Sequence, residues 1–213
     1  MKQLETVYSF LKERYKDNEP IFLSDLSIAG MKEVAVRQQL KKLVEEGRLK
    51  RFDTGIYFIP KKSMFKSGST LSVDEVIRKK YIVDGNGRCG YVCGILLANK
   101  LGLTTQVPMA YEVCSNKATT NYRDTQIAGF RVILRKPYVE VNTNNASALQ
   151  FLDLMREVID ISELEGNELT DRLIDYLKKK NMGFESLKPY LKFYPDKIYK
   201  NMYEAGLLNG MVT

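Results

Sequence analysis

At 213 residues, 44% of them hydrophobic and 28% charged, the chain can bury one large core or two small ones. That balance excludes a disordered chain, no stretch reaches the roughly 18 apolar residues of a membrane helix, and the opening MKQLETVYSFLKERYK lacks a signal-peptide core. A cytoplasmic protein without a membrane partner is expected, and its net charge of +7 is uneven: residues 1–66 hold 14 Lys or Arg against 9 Asp or Glu, 67–141 hold 10 against 6, and 142–213 hold 9 against 11. A basic front points to an anionic partner, of which nucleic acid is the commonest.

From Gln3 to about Tyr15, Leu4, Val7, Tyr8, Leu11 and Tyr15 recur at helical spacing and predict an amphipathic helix. Pro20 follows as a stop. Ser24 reads as the amino cap of a very short helix over Asp25 to Ile28, with Ala29-Gly30 as the turn after it. A longer helix is predicted from about Lys32 to Glu46, with Val36, Leu40, Leu43 and Val44 as its apolar stripe and Gly47 as its terminator. RLKRF and IYFIP, joined by Asp53-Thr54-Gly55, read as a hairpin. Helix, short helix, turn, longer helix and basic hairpin is the order of a winged helix-turn-helix, expected over 1–66.

KKSMFKSGST, Lys61 to Thr70, reads as a boundary, and 67–213 as a second domain with a sub-boundary near residue 142. Ser72 and Glu75 form a capping box for a helix to about Tyr81. Asp84 to Gly87 is a turn, and GYVCGILLANKLG reads as a buried helix. MAYEVC, the Thr-rich stretch near Lys117 to Tyr122, and FRVILRK are β-like, which predicts an α+β middle with a small antiparallel sheet. From Asn145 the pattern is helical: Leu149, Leu152, Met155, Val158 and Ile159 mark one face, Leu169, Leu173, Ile174 and Leu177 another. Two short helices follow near 183–192 and 196–207.

In a helix-turn-helix the second helix enters the major groove, so its outward residues are the candidate readers. These are Val34, Ala35, Gln38, Lys41 and Lys42, with Arg37 at the border of the stripe. Arg37 suits guanine and Gln38 adenine through bidentate hydrogen bonds, while Lys41 and Lys42 suit phosphate. Arg48, Lys50, Arg51, Lys61, Lys62 and Lys66 stand against one acid, Asp53, and make the hairpin a wing suited to DNA phosphates or the minor groove.

Catalytic and metal chemistry find little support. There is no histidine, so His-assisted hydrolases are excluded, and Cys89, Cys93 and Cys114 are too few ligands for a closed zinc site. The three thiols read as reduced core or turn residues. Gly85, Gly87, Gly90 and Gly94 lack the Lys-Ser/Thr ending of a phosphate loop, and Glu168, Asp171 and Asp175 sit on a segment ending in three lysines, as the helix dipole favours. No cofactor and no enzymatic activity are expected.

Leu40, Leu43, Gly47, Leu49, Arg51, Gly55, Ile56 and Tyr57, with L-G-L-T-T-Q-V-P at Leu101 to Pro108, resemble the abortive-infection E antitoxins (AbiEi-like) of bacterial type IV toxin-antitoxin systems. The resemblance implies an amino-terminal winged helix that represses its own operon and a carboxy-terminal domain that neutralises a nucleotidyltransferase-like toxin. It carries DNA-reading roles to Ala35, Arg37, Gln38, Lys41 and the wing cations, and leaves a basic middle, Lys100, Lys117, Arg123, Arg131, Arg135 and Lys136, for the toxin or a wider DNA footprint. The expected function is a DNA-binding transcriptional regulator, an antitoxin and autorepressor. The alternatives are a winged-helix protein-interaction module and a DNA-processing enzyme.

Overall fold

In a computed structural model, residues 2–61 and 69–210 are described. The chain is a mixed α+β protein in two compact units, residues 1–77 and 78–213. Most of the expected boundary, including Lys62 and Lys66, lies outside the described residues.

The first unit opens with helix α1 (Lys2–Arg14), which buries Leu4, Val7 and Leu11 and leaves Tyr8 and Tyr15 half-buried. Asn18 then takes a left-handed backbone, φ 59°, which lets its N–H donate to the Ile59 carbonyl at 2.8 Å and its side-chain oxygen accept from the Lys61 N–H at 3.2 Å. The chain leaves this corner as a two-residue strand, β1 (Ile21–Phe22). No short helix forms over Asp25 to Ile28. Instead a 3-10 turn spans Leu23–Asp25, pinned by Leu23 N–H to the Gly55 carbonyl at 2.9 Å. Ser24 lies inside that turn and its hydroxyl donates to Asp25 Oδ1 at 2.9 Å, so it caps nothing.

Helix α2 (Glu33–Glu45) buries Val36, Leu40 and Leu43 as its stripe requires, and Gln39 besides. Gly47, at φ +71°, ends it while the N–H groups of Gly47 and Arg48 return to the Val44 and Leu43 carbonyls at 3.0 and 2.9 Å. Strands β2 (Lys50–Asp53) and β3 (Ile56–Phe58) form the expected hairpin, with Gly55 at φ +73°. The sheet is antiparallel in order β1-β3-β2, and a bulge falls between Arg51 and Asp53. The two helices pack Leu4, Val7, Leu11, Val36, Leu40 and Leu43 into one core with Ile21 and Leu49, each such side chain contributing about 1.5–3 kcal/mol. Past the undescribed segment, Ser72 and Glu75 close the capping box of α3 (Val73–Ile77) through two 3.4 Å hydrogen bonds.

The second unit begins with a π-helical turn, Arg78–Ile82, so the helix predicted to run to Tyr81 changes geometry at residue 78. Strands β4 (Val83–Asp84) and β5 (Gly87–Arg88) flank the predicted turn. GYVCGILLANKLG is not one helix. It divides into β6 (Gly90–Val92) and α4 (Gly94–Lys100), because Cys93 is extended and Gly94 sits at φ +63°, a break that only glycine takes without strain.

Strands β7 (Tyr111–Ser115), β8 (Tyr122–Ile127) and β9 (Phe130–Arg135) complete a four-stranded sheet in order β6-β7-β9-β8. The sheet is mixed rather than wholly antiparallel, since β7 and β9 run parallel. The Thr-rich stretch before Tyr122 is turn, not strand, and β8 starts where it was expected to end. Against β6 packs α5 (Ala146–Met155), followed by α6 (Val158–Ile161), α7 (Gly166–Lys179), α8 (Phe184–Leu191), α9 (Lys197–Glu204) and α10 (Leu207–Gly210). Tyr91, Leu149, Phe151, Leu173, Leu187 and Ile198 belong to the shared core.

Candidate functional site

The apolar stripe of α2 is turned inward, which fixes what the helix presents outward. Val34, Arg37, Gln38, Lys41 and Lys42 are exposed and Ala35 is half-buried, so the six positions expected to read DNA share one accessible face. Gln38 and Lys42 make no side-chain hydrogen bond or ion pair among the described residues. Arg37 is held by Glu33 at 2.5 Å and Lys41 lies 3.9 Å from Glu45, both one turn apart and well exposed. Such pairs contribute roughly 0.3–0.5 kcal/mol, too little to keep either cation from an incoming phosphate or base.

The hairpin cations divide into two kinds. Arg51 is exposed and folds over its own turn, donating to the Asp53 carbonyl at 3.2 Å and to Thr54 Oγ1 at 3.1 Å, and Lys61 is exposed at the hairpin's end. Lys50 is half-buried, its Nζ donating to the Ser69 carbonyl at 3.1 Å. Arg48 grips Glu5 of α1 with two hydrogen bonds of 2.6 and 3.0 Å and lies 3.8 Å over the Tyr8 ring. The Glu5 hydrogen bond is also the main cause that raises the Arg48 pKa. Arg48 is therefore a strut joining α1 to the end of α2 and does not belong with the cations free to meet DNA. Lys62 lies outside the described residues.

A second concentration of polar groups lies in residues 78–213, where composition and periodicity offer little sign of it. Asp153, buried on α5, accepts from the Tyr91 hydroxyl at 2.7 Å and the Cys114 thiol at 3.1 Å through Oδ2, and from Arg156 at 3.2 Å through Oδ1. The Cys93 thiol reaches Cys114 at 3.8 Å, and burial with the Asp153 charge pushes the Tyr91 hydroxyl far above its usual range. All three cysteines are buried and unbridged, as read from the sequence. The missed signal was Asp153 and Arg156, three apart on an otherwise apolar helix end: a carboxylate there needs a partner.

Among the described residues no three Cys, Asp or Glu side chains converge as metal ligands, and no helix is long and apolar enough to cross a membrane. The L-G-L-T-T-Q-V-P segment is a tied-down loop. Glu163 accepts from Thr104 Oγ1 at 2.7 Å and from the Thr105 N–H at 2.9 Å, Asn99 donates to the Thr104 and Gln106 carbonyls, and Arg172 donates to the Leu101 carbonyl at 3.2 Å.

Residues 11–145, nearly two thirds of the chain, match the family of unknown function DUF6088. The chain belongs to that family. The match runs from the end of α1 through the whole four-stranded sheet to the residue before α5, so it includes α2, the hairpin and the tied loop, and stops before the helices α5 to α10. No curated protein matches the chain.

Proposed function

We propose that the amino-terminal unit is a winged helix that binds double-stranded operator DNA, and that the protein is the antitoxin and autorepressor of a type IV toxin-antitoxin operon. The observation that carries the DNA reading is the accessible face of α2, where Arg37, Gln38, Lys41 and Lys42 stand beside Val34 and Ala35. The order helix, strand, tight turn, helix and hairpin, with the sheet ordered β1-β3-β2, supports the fold assignment. In this reading α2 lies in the major groove, Arg37 and Gln38 meet base edges, Lys41 and Lys42 meet phosphate, and Arg51, Lys61 and Lys62 supply the wing. The antitoxin part rests on the likeness of Leu40 to Tyr57 and of Leu101 to Pro108 to the AbiEi-like proteins.

The test is binding of the full chain to a duplex from upstream of its own gene across a series of salt concentrations. Phosphate contacts give a steep negative slope of log affinity against log salt. A flat slope, or no binding, would favour a protein-interaction module instead, a reading that the 67% exposure of Val34 supports.

A further inference from the structure

Strand β8 (Tyr122–Ile127) closes one side of the four-stranded sheet, and among the described residues no strand pairs with its other side. The direction of its backbone groups follows from its turn. Ala128 and Gly129, at φ 50° and 82°, form a two-residue turn with both φ positive, so Ile127 and Phe130 face each other as a hydrogen-bonded pair. Alternation along the ladder makes Thr125–Val132 and Arg123–Leu134 the next such pairs. The Lys136 N–H, donating to the Asn121 carbonyl at 3.3 Å, continues the same phase. The N–H and C=O groups of Asp124 and Gln126 therefore point away from β9.

Three common protections of a free edge are missing from this strand. It has no Lys and no Pro, and its register with β9 is unbroken from Tyr122 to Ile127. The charge of Asp124 is neutralised within the sheet by Arg131 at 2.6 Å. The opposite edge, β6, is only three residues long, and the edge strand β2 of the first unit is interrupted by its bulge. A regular six-residue edge, exposed at Tyr122, Arg123, Asp124 and Gln126, is a template for another strand.

We infer that this edge pairs with β8 of a second copy, antiparallel, about a two-fold axis through Thr125. The side chains of the strand select both the occupant and the register. Bonding the outward groups to each other requires an outward residue opposite an outward residue, and only axes through residue 124 or 125 then pair five of the six strand residues. The first axis sets Asp124 against Asp124 of the second copy, like charges directly opposite. The second sets Thr125 against Thr125 and, on each side, Asp124 against Gln126, whose amide can donate to the carboxylate while the two backbones exchange hydrogen bonds. Arg123 then falls opposite Ile127 and meets no like charge. The strand is complementary to itself, and the pairing joins two four-stranded sheets into one of eight. This dimer rests on β8 alone and not on the DNA-binding reading.

Sedimentation equilibrium of the full-length chain should give a mass that approaches twice 24.5 kDa as concentration rises. Gln126→Pro removes an outward N–H and spares every bond to β9, so with an unchanged far-ultraviolet spectrum and melting curve it should weaken dimerisation about tenfold or more. Mild oxidation of cysteine variants reads the register. Thr125→Cys places two thiols at a non-hydrogen-bonded pair, about 4.5 Å between Cα atoms, and should form a disulfide-linked dimer on a non-reducing gel. Arg123→Cys leaves its two thiols four strand residues apart, about 13 Å, and should not. A chain that stays at 24.5 kDa up to about 100 μM, a folded Gln126→Pro protein that dimerises as wild type, or a Thr125→Cys protein that crosslinks no more than Arg123→Cys overturns the assignment.

Discussion

Two arginines eleven positions apart show how little residue type says about role. Arg37 and Arg48 are both cationic and both near the end of α2 or its start, yet Arg37 is 62% exposed with only Glu33 beside it, and Arg48 is locked between Glu5 and the Tyr8 ring. We expect Arg37→Ala to lower affinity for the operator by about 1–3 kcal/mol and to relax sequence preference, measured by titration against operator and scrambled duplexes. Arg48→Ala should instead lower the unfolding midpoint and leave the ratio of operator to scrambled affinity unchanged. Equal loss of discrimination in the two variants would contradict the division. Gly90 makes the same point for glycines. A Cβ there would press on the Tyr81 carbonyl and come within 2.6 Å of the Cys114 carbonyl, both backbone atoms that cannot swing aside. Gly90→Ala should therefore cost about 2 kcal/mol or more in chemical denaturation, whereas Gly85→Ala, with open space around it, should cost far less.

At the scale of elements, what periodicity encodes was legible and what long-range pairing decides was not. The stripes of α1 and α2, the glycine after α2 and the Asp53-Thr54-Gly55 turn each follow from nearby residues, and each stands close to where it was expected. β1 is two residues long and exists because β3 pairs with it, so no local pattern announces it. β8, YRDTQI, is polar because it is the exposed edge of its sheet, and the turn after it rests on the left-handed Ala128 and Gly129. The loop after α4 depends on Glu163, 58 residues further along than Thr105, and could not be read locally. The Thr104 hydroxyl first, then the Thr105 N–H and hydroxyl, hold the Glu163 carboxyl below its ordinary value of 4.5. A depressed folded value means that the carboxylate stabilises the fold above pH 4.5 and loses that contribution as pH falls through the folded value. Thermal melts of wild type and Glu163→Gln should therefore differ at neutral pH and converge in acid. A gap that stays constant across pH would assign the effect to shape rather than charge.

For the whole molecule, the division into two compact units carries the functional argument. Residues 4–59 pack one hydrophobic cluster and residues 91–207 another. The α2 face draws its geometry from the first core alone, while the polar network on Asp153 draws on the second. If the proposed reading holds, repression and toxin neutralisation should be separable by point mutation. The combination of Arg37→Ala and Lys42→Ala changes only exposed side chains of α2, so it should fold as wild type. In a reporter strain it should release transcription from the protein's own promoter, and in vitro it should lower the salt slope of DNA binding by about one for the lost Lys42 phosphate contact. Co-expressed with a nucleotidyltransferase-like toxin from the neighbouring reading frame, the same variant should still rescue growth. Rescue lost together with repression would show that neutralisation runs through the α2 face, because the substitutions leave both cores untouched.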